Sequence, residues 1–241
     1  MKIISILGTG TDVGKTLVTA ALYGFLFEDG AKIATQKWVS SGDEKGYSED
    51  LFFALQCPLR KKSDNLFKNL PVDKIQDKYK NNLPYMNLYS FVYPASPHLV
   101  SRQEKRKISK IKILHSIEYF KKQRLDYLII EGVGGLMTPL KETLLYADLI
   151  GEFKFPSLLV VNNILGAINT SLLTVAELKK RQIPILGFVF NDYFKNSNLI
   201  REDNKRIIQK NTGIKHSVSF SKIQKKQDFL KLGQAIAEEL I

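Results

Sequence analysis

Lys2-Ile3-Ile4-Ser5-Ile6-Leu7 runs directly into Gly8-Thr9-Gly10-Thr11-Asp12-Val13-Gly14-Lys15-Thr16. The first stretch is an apolar run of strand length, and from Thr16 to Phe27 the apolar residues follow helical spacing until Asp29-Gly30 ends the pattern. Strand, glycine-bearing turn and helix together make a βα unit. Such a turn lets successive backbone N–H groups converge on phosphate oxygens at the positive end of the helix. Lys15 then supplies a point charge for the β and γ phosphates and Thr16 a hydroxyl for Mg²⁺. Strand before and helix after are the context a P-loop requires, so a chance Gly-Lys-Thr in a structural turn is the weaker reading. The spacing departs from the common one in a single place. The position five before Gly14 is Thr9, and the nearest earlier glycine, Gly8, stands one residue too early.

Outward from this unit, Lys32 to Gln36, Tyr127 to Ile130, Leu158 to Val161 and Ile185 to Phe190 read as strands, the last three almost continuously hydrophobic. Strands of that kind are covered on both faces and belong to a parallel sheet. Ile168 to Arg181 has helical spacing and links the last two strands by a turn at Gln182 to Pro184, which predicts a right-handed βαβ crossover. Ser63 to Tyr93 is rich in Lys, Asn, Asp and Pro without sustained periodicity and reads as an excursion from the sheet. The expected fold is therefore α/β, a single domain over residues 1–241.

Composition narrows the function classes. In 241 residues, 44% are hydrophobic and 25% charged, enough apolar side chain for one substantial core. The net charge of +12 admits nucleic acid, anionic membrane or a small anionic substrate as partner. Much of the excess lies in scattered doublets such as Lys61-Lys62, Lys121-Lys122 and Lys225-Lys226. A solvated Lys-rich surface is favoured over a basic stripe for nucleic acid, and no membrane partner is expected. The single cysteine, Cys57, excludes an intrachain disulfide and a multi-Cys zinc site and reads as a small buried hydrophobe. No apolar stretch approaches the roughly 20 residues of a membrane span, so a cytoplasmic protein is expected.

Two acidic positions suit a magnesium role. Glu131 follows the strand Tyr127 to Ile130 and precedes Gly132-Val133-Gly134-Gly135, which puts a carboxylate at the carboxyl end of the sheet beside the P-loop. Asp50 is a second candidate, with Asp43, Glu44 and Glu49 competing for the role on spacing alone. His98, His115 and His216 show no metal-ligand spacing.

Taken in order, several segments carry a more specific signal. They are Gly8 to Thr16, Lys37-Trp38-Val39-Ser40-Ser41-Gly42, Ser48 to Gln56, Tyr93 to Glu104 with Ser96-Pro97-His98, and EGVGGLMTPL from Glu131 to Leu140. LGAINTSLLT from Leu165 to Thr174 and Gly187 to Asp192 complete the series. Across nearly its whole length the chain resembles the dethiobiotin synthetase family, whose loop reads Gly, five residues, Gly-Lys-Thr, which accounts for Gly8. The resemblance implies a P-loop NTPase-like three-layer sandwich and a homodimer. It implies ATP as cosubstrate, Mg²⁺, and conversion of 7,8-diaminononanoate and CO₂ or bicarbonate to dethiobiotin, ADP and phosphate.

On matching positions it implies that Thr11, Asp12, Val13, Gly14, Lys15 and Thr16 hold the phosphates and that Thr16, Asp50 and Glu131 hold Mg²⁺. Lys37 joins Lys15 as a catalytic residue, and Asn191 contacts the adenine. Ser41 and Gly134 contact the substrate, while Gly166 and Asn169 begin a helix that receives the substrate carboxylate in the other subunit. Without the family, that helix start reads as an ordinary Asn-capped one.

Two departures stand out. Trp38 follows Lys37 where the family usually has Pro, which is expected to reshape the wall near Lys37. Lys215 to Phe220 replaces the family's Gly-x-Ile-Pro turn beside the adenine, so looser base recognition is expected. Another P-loop amidoligase, or a partitioning-type ATPase, is the alternative; the latter carries an extra lysine early in its loop, and none lies between Gly8 and Val13.

Overall fold

The computed structural model describes residues 1–193 and 197–241. Its elements are β1 (Lys2–Gly8), α1 (Lys15–Glu28), β2 (Ile33–Ser41), α2 (Glu49–Gln56), α3 (Val72–Tyr79), α4 (Leu83–Met86), β3 (Asn87–Phe91), α5 (Pro97–Gln103), α6 (Lys110–Lys122) and β4 (Tyr127–Glu131). They continue with β5 (Pro139–Lys141), β6 (Leu144–Leu145), α7 (Tyr146–Phe153), β7 (Ser157–Asn162), α8 (Ala167–Lys180), β8 (Ile185–Asn191), α9 (Asn198–Thr212), β9 (Ser217–Phe220) and α10 (Lys226–Leu240).

Seven strands form one parallel sheet in the order β3-β2-β4-β1-β7-β8-β9, and β5 and β6 make a small separate hairpin. In β1, β4 and β7 the buried positions run consecutively. Successive side chains of a strand point to opposite faces, so an unbroken buried run means that helices cover both. That is the three-layer arrangement expected. Because every strand of the sheet runs the same way, Gly8, Ser41, Glu131 and Asn191 end up along one edge.

Helix α1 lies under this edge, packed between α2 and α10. Gly233 of α10 lets the two helices approach so closely that a Cβ there would stand 2.1 Å from Ala21 O.

Three expectations need correction. The Ser63 to Tyr93 excursion carries α3 and α4 and ends in β3, which returns to the sheet as its edge strand beside β2. The strand read as Lys32 to Gln36 continues to Ser41: Lys37, Ser40 and Ser41 interrupt the apolar run, but the backbone still pairs with β3 and β4. Trp38 points away from Lys37, as the alternation of a strand demands. Its ring is buried against Tyr146 and Phe153 at centroid distances of 5.9 and 6.0 Å, and its Nε1–H donates to Gln36 Oε1 at 2.9 Å. The indole thus serves the core and does not reshape the wall at Lys37.

Candidate active site

The P-loop begins where β1 stops. Thr9 N–H still donates to Val160 O of the neighbouring strand at 3.1 Å, after which the chain turns back over itself. Gly8 sits beneath this turn: a Cβ there would meet Val13 Cγ2 at 2.7 Å and Lys15 Cδ at 3.0 Å. The displaced glycine is therefore a packing requirement of a loop one residue longer than the common kind. Gly14 caps α1 at φ +104, a left-handed conformation, and a Cβ there would stand 2.9 Å from Asn191 Nδ2. Asp12 adopts φ +56. No side chain caps α1 and its first turn holds no acid, so the helix start is open toward an anion.

Two lysines and two carboxylates meet above this helix start. Lys15 is buried and its Nζ donates to Gly10 O at 2.8 Å, curling back over the loop. Lys37 Nζ, also buried, lies 2.6 Å from Glu131 Oε1, 2.8 Å from Asp50 Oδ2 and 3.2 Å from Gly132 O. Thr16 Oγ1 stands 3.0 Å from Asp50 Oδ1 and 2.8 Å from Glu131 Oε1. β2 and β4 deliver Lys37 and Glu131 as register partners, and Ser48, accepting from Leu51 N–H at 3.3 Å, starts α2 so that Asp50 falls in its first turn.

Among the competing acids, Asp43 is buried and receives the Ser40 and Ser90 hydroxyls, and Glu49 pairs with Lys45 at 2.7 Å on the surface. Asp50 is the one that joins Thr16 and Lys37.

The charges interact strongly. Burial, with the nearby Lys37 cation, lowers the Lys15 ammonium to about 8, against the pull of Glu131, Asp50 and Asp12. Burial also works to lower Lys37, but Glu131 and Asp50 overcome it and hold this ammonium well above its usual range. Burial raises the Glu131 carboxyl, opposed by Lys37. Asp50, whose side chain keeps 44% of its exposure, is held below the usual carboxylate range because Lys37 outweighs its desolvation.

These groups open into one cavity of about 680 Å³. Thr11, Asp12, Gly14, Lys15, Thr16, Lys37, Ser41, Asp50, Glu131, Gly134 and Asn191 all line it. Val13 does not; its side chain is buried and its carbonyl accepts from Asn191 Nδ2 at 3.1 Å. Gly166 and Asn169 also lie outside it. Gly166 caps α8 at φ +91 with no side-chain cap, and Asn169 is the third residue of that helix, exposed at the surface. The Asn-capped reading of α8 is thereby corrected to a glycine-capped one.

Sequence reasoning missed the far end of the cavity, built by Asn65 and Phe67 from the segment after α2, by Tyr193, and by Ser221, Ile223 and Gln224 after β9. No periodicity marks Phe67 within its Lys- and Asn-rich surroundings; only the fold brings it there. Cys57 is buried with its thiol pushed up to about 12 by burial, as a small core hydrophobe.

An AAA domain family model matches residues 2–225. The ATP-dependent dethiobiotin synthetase BioD of Clostridium perfringens is 31% identical over 243 residues, 98% of each chain. BioD 2 of Haemophilus influenzae, named likewise, is 34% identical over 192 residues, 80% of this chain and 92% of its own. Among solved structures, the MinC:MinD cell division protein complex of Aquifex aeolicus superposes with a TM-score of 0.59 at 14% identity, over 100% of this chain and 97% of that one. At that identity the likeness concerns the fold alone.

Proposed function

The chain belongs to the dethiobiotin synthetase family, and from that premise we propose that it carboxylates 7,8-diaminononanoate and closes the ureido ring to dethiobiotin with ATP. The observation that carries this reading is the placement of Lys37 beside the P-loop, where Glu131 Oε1 meets both its Nζ and Thr16 Oγ1. Its cation is held between Glu131 and Asp50, facing the phosphate-binding residues Lys15 and Thr16.

The chemistry asks mainly for charge stabilisation. One substrate amine and CO₂ give a carbamate, a carbamate oxygen attacks the γ-phosphorus, and ADP departs. The second amine then attacks the carbamoyl carbon and phosphate leaves. Phosphoryl transfer is promoted by positioning and by cations around the transferring oxygens, which the open start of α1, Lys15 and Lys37 supply. Ser41 and Gly134 line the same cavity; Ser41, with Lys37, is assigned to the carbamate and Gly134 to the substrate. Neither a nucleophilic Ser nor Cys is required.

The residues present fit Mg²⁺. Thr16 Oγ1, Asp50 Oδ1 and Glu131 Oε1 are hard oxygens of the kind Mg²⁺ takes, and the hydroxyl lies 3.0 and 2.8 Å from the two carboxylates. The hydroxyl has one hydrogen for two carboxylates, which leaves one close pair of oxygens suited to a cation. Bound there, Mg²⁺ would neutralise charge on the β and γ phosphates.

The substrate's own carboxylate lies a hydrocarbon chain away from the reacting amines. We assign it to the glycine-capped start of α8 at Gly166 to Asn169 in a partner subunit, where no side chain occupies the helix end, which makes the enzyme a homodimer with shared sites. No helix among the described residues is long and apolar enough to cross a membrane. The reading includes a cytoplasmic location and no nucleic-acid partner for the dispersed Lys surface.

Incubating the protein with diaminononanoate, bicarbonate and Mg-ATP and following dethiobiotin by mass spectrometry tests the activity. Dethiobiotin is expected, with turnover by Lys15→Ala reduced on the order of 10²–10³-fold. A folded, ATP-binding protein that forms none would overturn the assignment.

A further inference from the structure

The segment between α2 and α3 is fastened at both ends. Leu66 N–H donates to Gln224 O at 2.8 Å, Lys226 N–H to Asp64 O at 2.8 Å and Gln227 N–H to Lys62 O at 3.0 Å, so residues 62–66 run antiparallel to the chain entering α10. The Gln56 side chain donates to Leu66 O at 2.8 Å and accepts from Leu70 N–H at 3.2 Å. Beneath them Lys226, buried, bonds Glu28 Oε1 at 2.6 Å and Arg60 O at 2.8 Å. Leu66 is fully buried, yet Phe67, next in sequence, keeps 52% of its exposure.

A mobile loop would leave an aromatic in water at no special cost, but this one is held in place. Asn65 Oδ1 accepts from Phe67 N–H at 2.8 Å and fixes the backbone that aims the ring, and Phe53 at a centroid distance of 5.4 Å and Phe229 at 6.2 Å support it from behind. The ring lines the same cavity as Lys15 and Asn191, at the end where Asn191 pairs with Phe220 and the residues after β9 meet the 62–66 segment, and it also borders a second cavity with Leu17 and Asp50. Phosphates on the P-loop leave that end for the base.

We propose that Phe67 is the stacking wall of the nucleobase site, a base-binding residue supplied by the strapped 62–67 segment. This rests on reading the cavity as an ATP site. A ring face accepts any base, because every base has a π-face, so the wall contributes affinity with little discrimination among bases.

Titrating ATP, GTP, CTP and inorganic tripolyphosphate into wild-type, Phe67→Ala, Phe67→Leu and Phe67→Tyr protein tests it. Phe67→Ala should weaken all three nucleotides on the order of tenfold and leave tripolyphosphate unchanged. Phe67→Tyr should bind as wild type, and Phe67→Leu should fall nearer to Phe67→Ala. Unchanged nucleotide affinity in Phe67→Ala, an equal loss for tripolyphosphate, or wild-type behaviour of Phe67→Leu would overturn the proposal. Failure of the wild-type protein to bind ATP or tripolyphosphate would instead overturn the reading of the cavity itself.

Discussion

Lys15 and Lys37 are both buried cations within the same few ångströms of the P-loop, and their neighbours drive them in opposite directions. Lys37 has two carboxylates at 2.6 and 2.8 Å and stays charged. Lys15 has a carbonyl at 2.8 Å and, among the described residues, no carboxylate in direct contact, so burial and the Lys37 cation bring it down to about 8. The phosphates of ATP favour the charged form and raise that value in the complex. Below pH 8 the free enzyme already carries the proton, and affinity is insensitive to this group. Above 8, binding must take up a proton, so ATP affinity falls as pH rises, approaching tenfold per pH unit between the free and bound values. Kd for ATP measured from pH 7 to 9.5 should show this break. Lys15→Arg, which does not titrate there, should flatten it. An unchanging Kd in the wild-type protein would contradict the arrangement.

At the scale of elements, α1 carries the phosphate loop on one end and is clamped along its length by α10. The closest point is Gly233, where an added Cβ would lie 2.1 Å from Ala21 O and 2.6 Å from Phe25 Cβ. Gly233→Ala improves helix propensity by about 1 kcal/mol but forces two packed helices apart, at a cost of about 1–3 kcal/mol or more. Clash is expected to win, lowering the melting temperature by about 5 °C; an equal or higher value in calorimetry would show that the helices separate freely. The βα unit itself was legible because a buried strand needs a continuous apolar run and a phosphate turn needs glycines at fixed offsets. β3 and β9 were not, since an edge strand buries less and their short stretches, Asn87–Phe91 and Ser217–Phe220, mix Ser and Asn with the apolar residues. The far end of β2 hid for a related reason, its polar residues interrupting the apolar run. Asp50 could not be chosen from four acids by spacing, because what separates them is which hydroxyls and ammonium groups each one meets. Phe67 reaches the cavity through contacts of its segment with Gln56 and Phe53 and through its pairing with residues 224–227, the last of long sequence separation that no local pattern encodes.

For the whole molecule, the proposed substrate sets a geometric demand: a site at one edge of a single sheet has to reach both ends of a nine-carbon chain. β7 is the neighbour of β1, so the start of α8 emerges beside the P-loop strand, yet Gly166 and Asn169 stand outside the cavity and face solvent. Leu165 next to them is 85% exposed, and no acid occupies the first turn of α8. In the proposed dimer a two-fold axis sets this surface opposite the partner's cavity, where it would receive the substrate carboxylate. Asn169→Asp places a negative charge where the carboxylate should bind, and Lys15→Ala disables phosphate binding; each homodimer should be nearly inactive for a different reason. In a mixed dimer, the cavity with an intact Lys15 comes from the Asn169→Asp subunit, and its carboxylate site comes from the Lys15→Ala subunit, which has an intact Asn169. One good site results, and the other carries both defects. Random exchange of equal amounts makes half the dimers mixed, so activity should recover to about a quarter of the wild-type value. If labelled subunits are seen to exchange and no activity returns, or if sedimentation finds only monomer during normal turnover, each cavity must bind the whole substrate by itself.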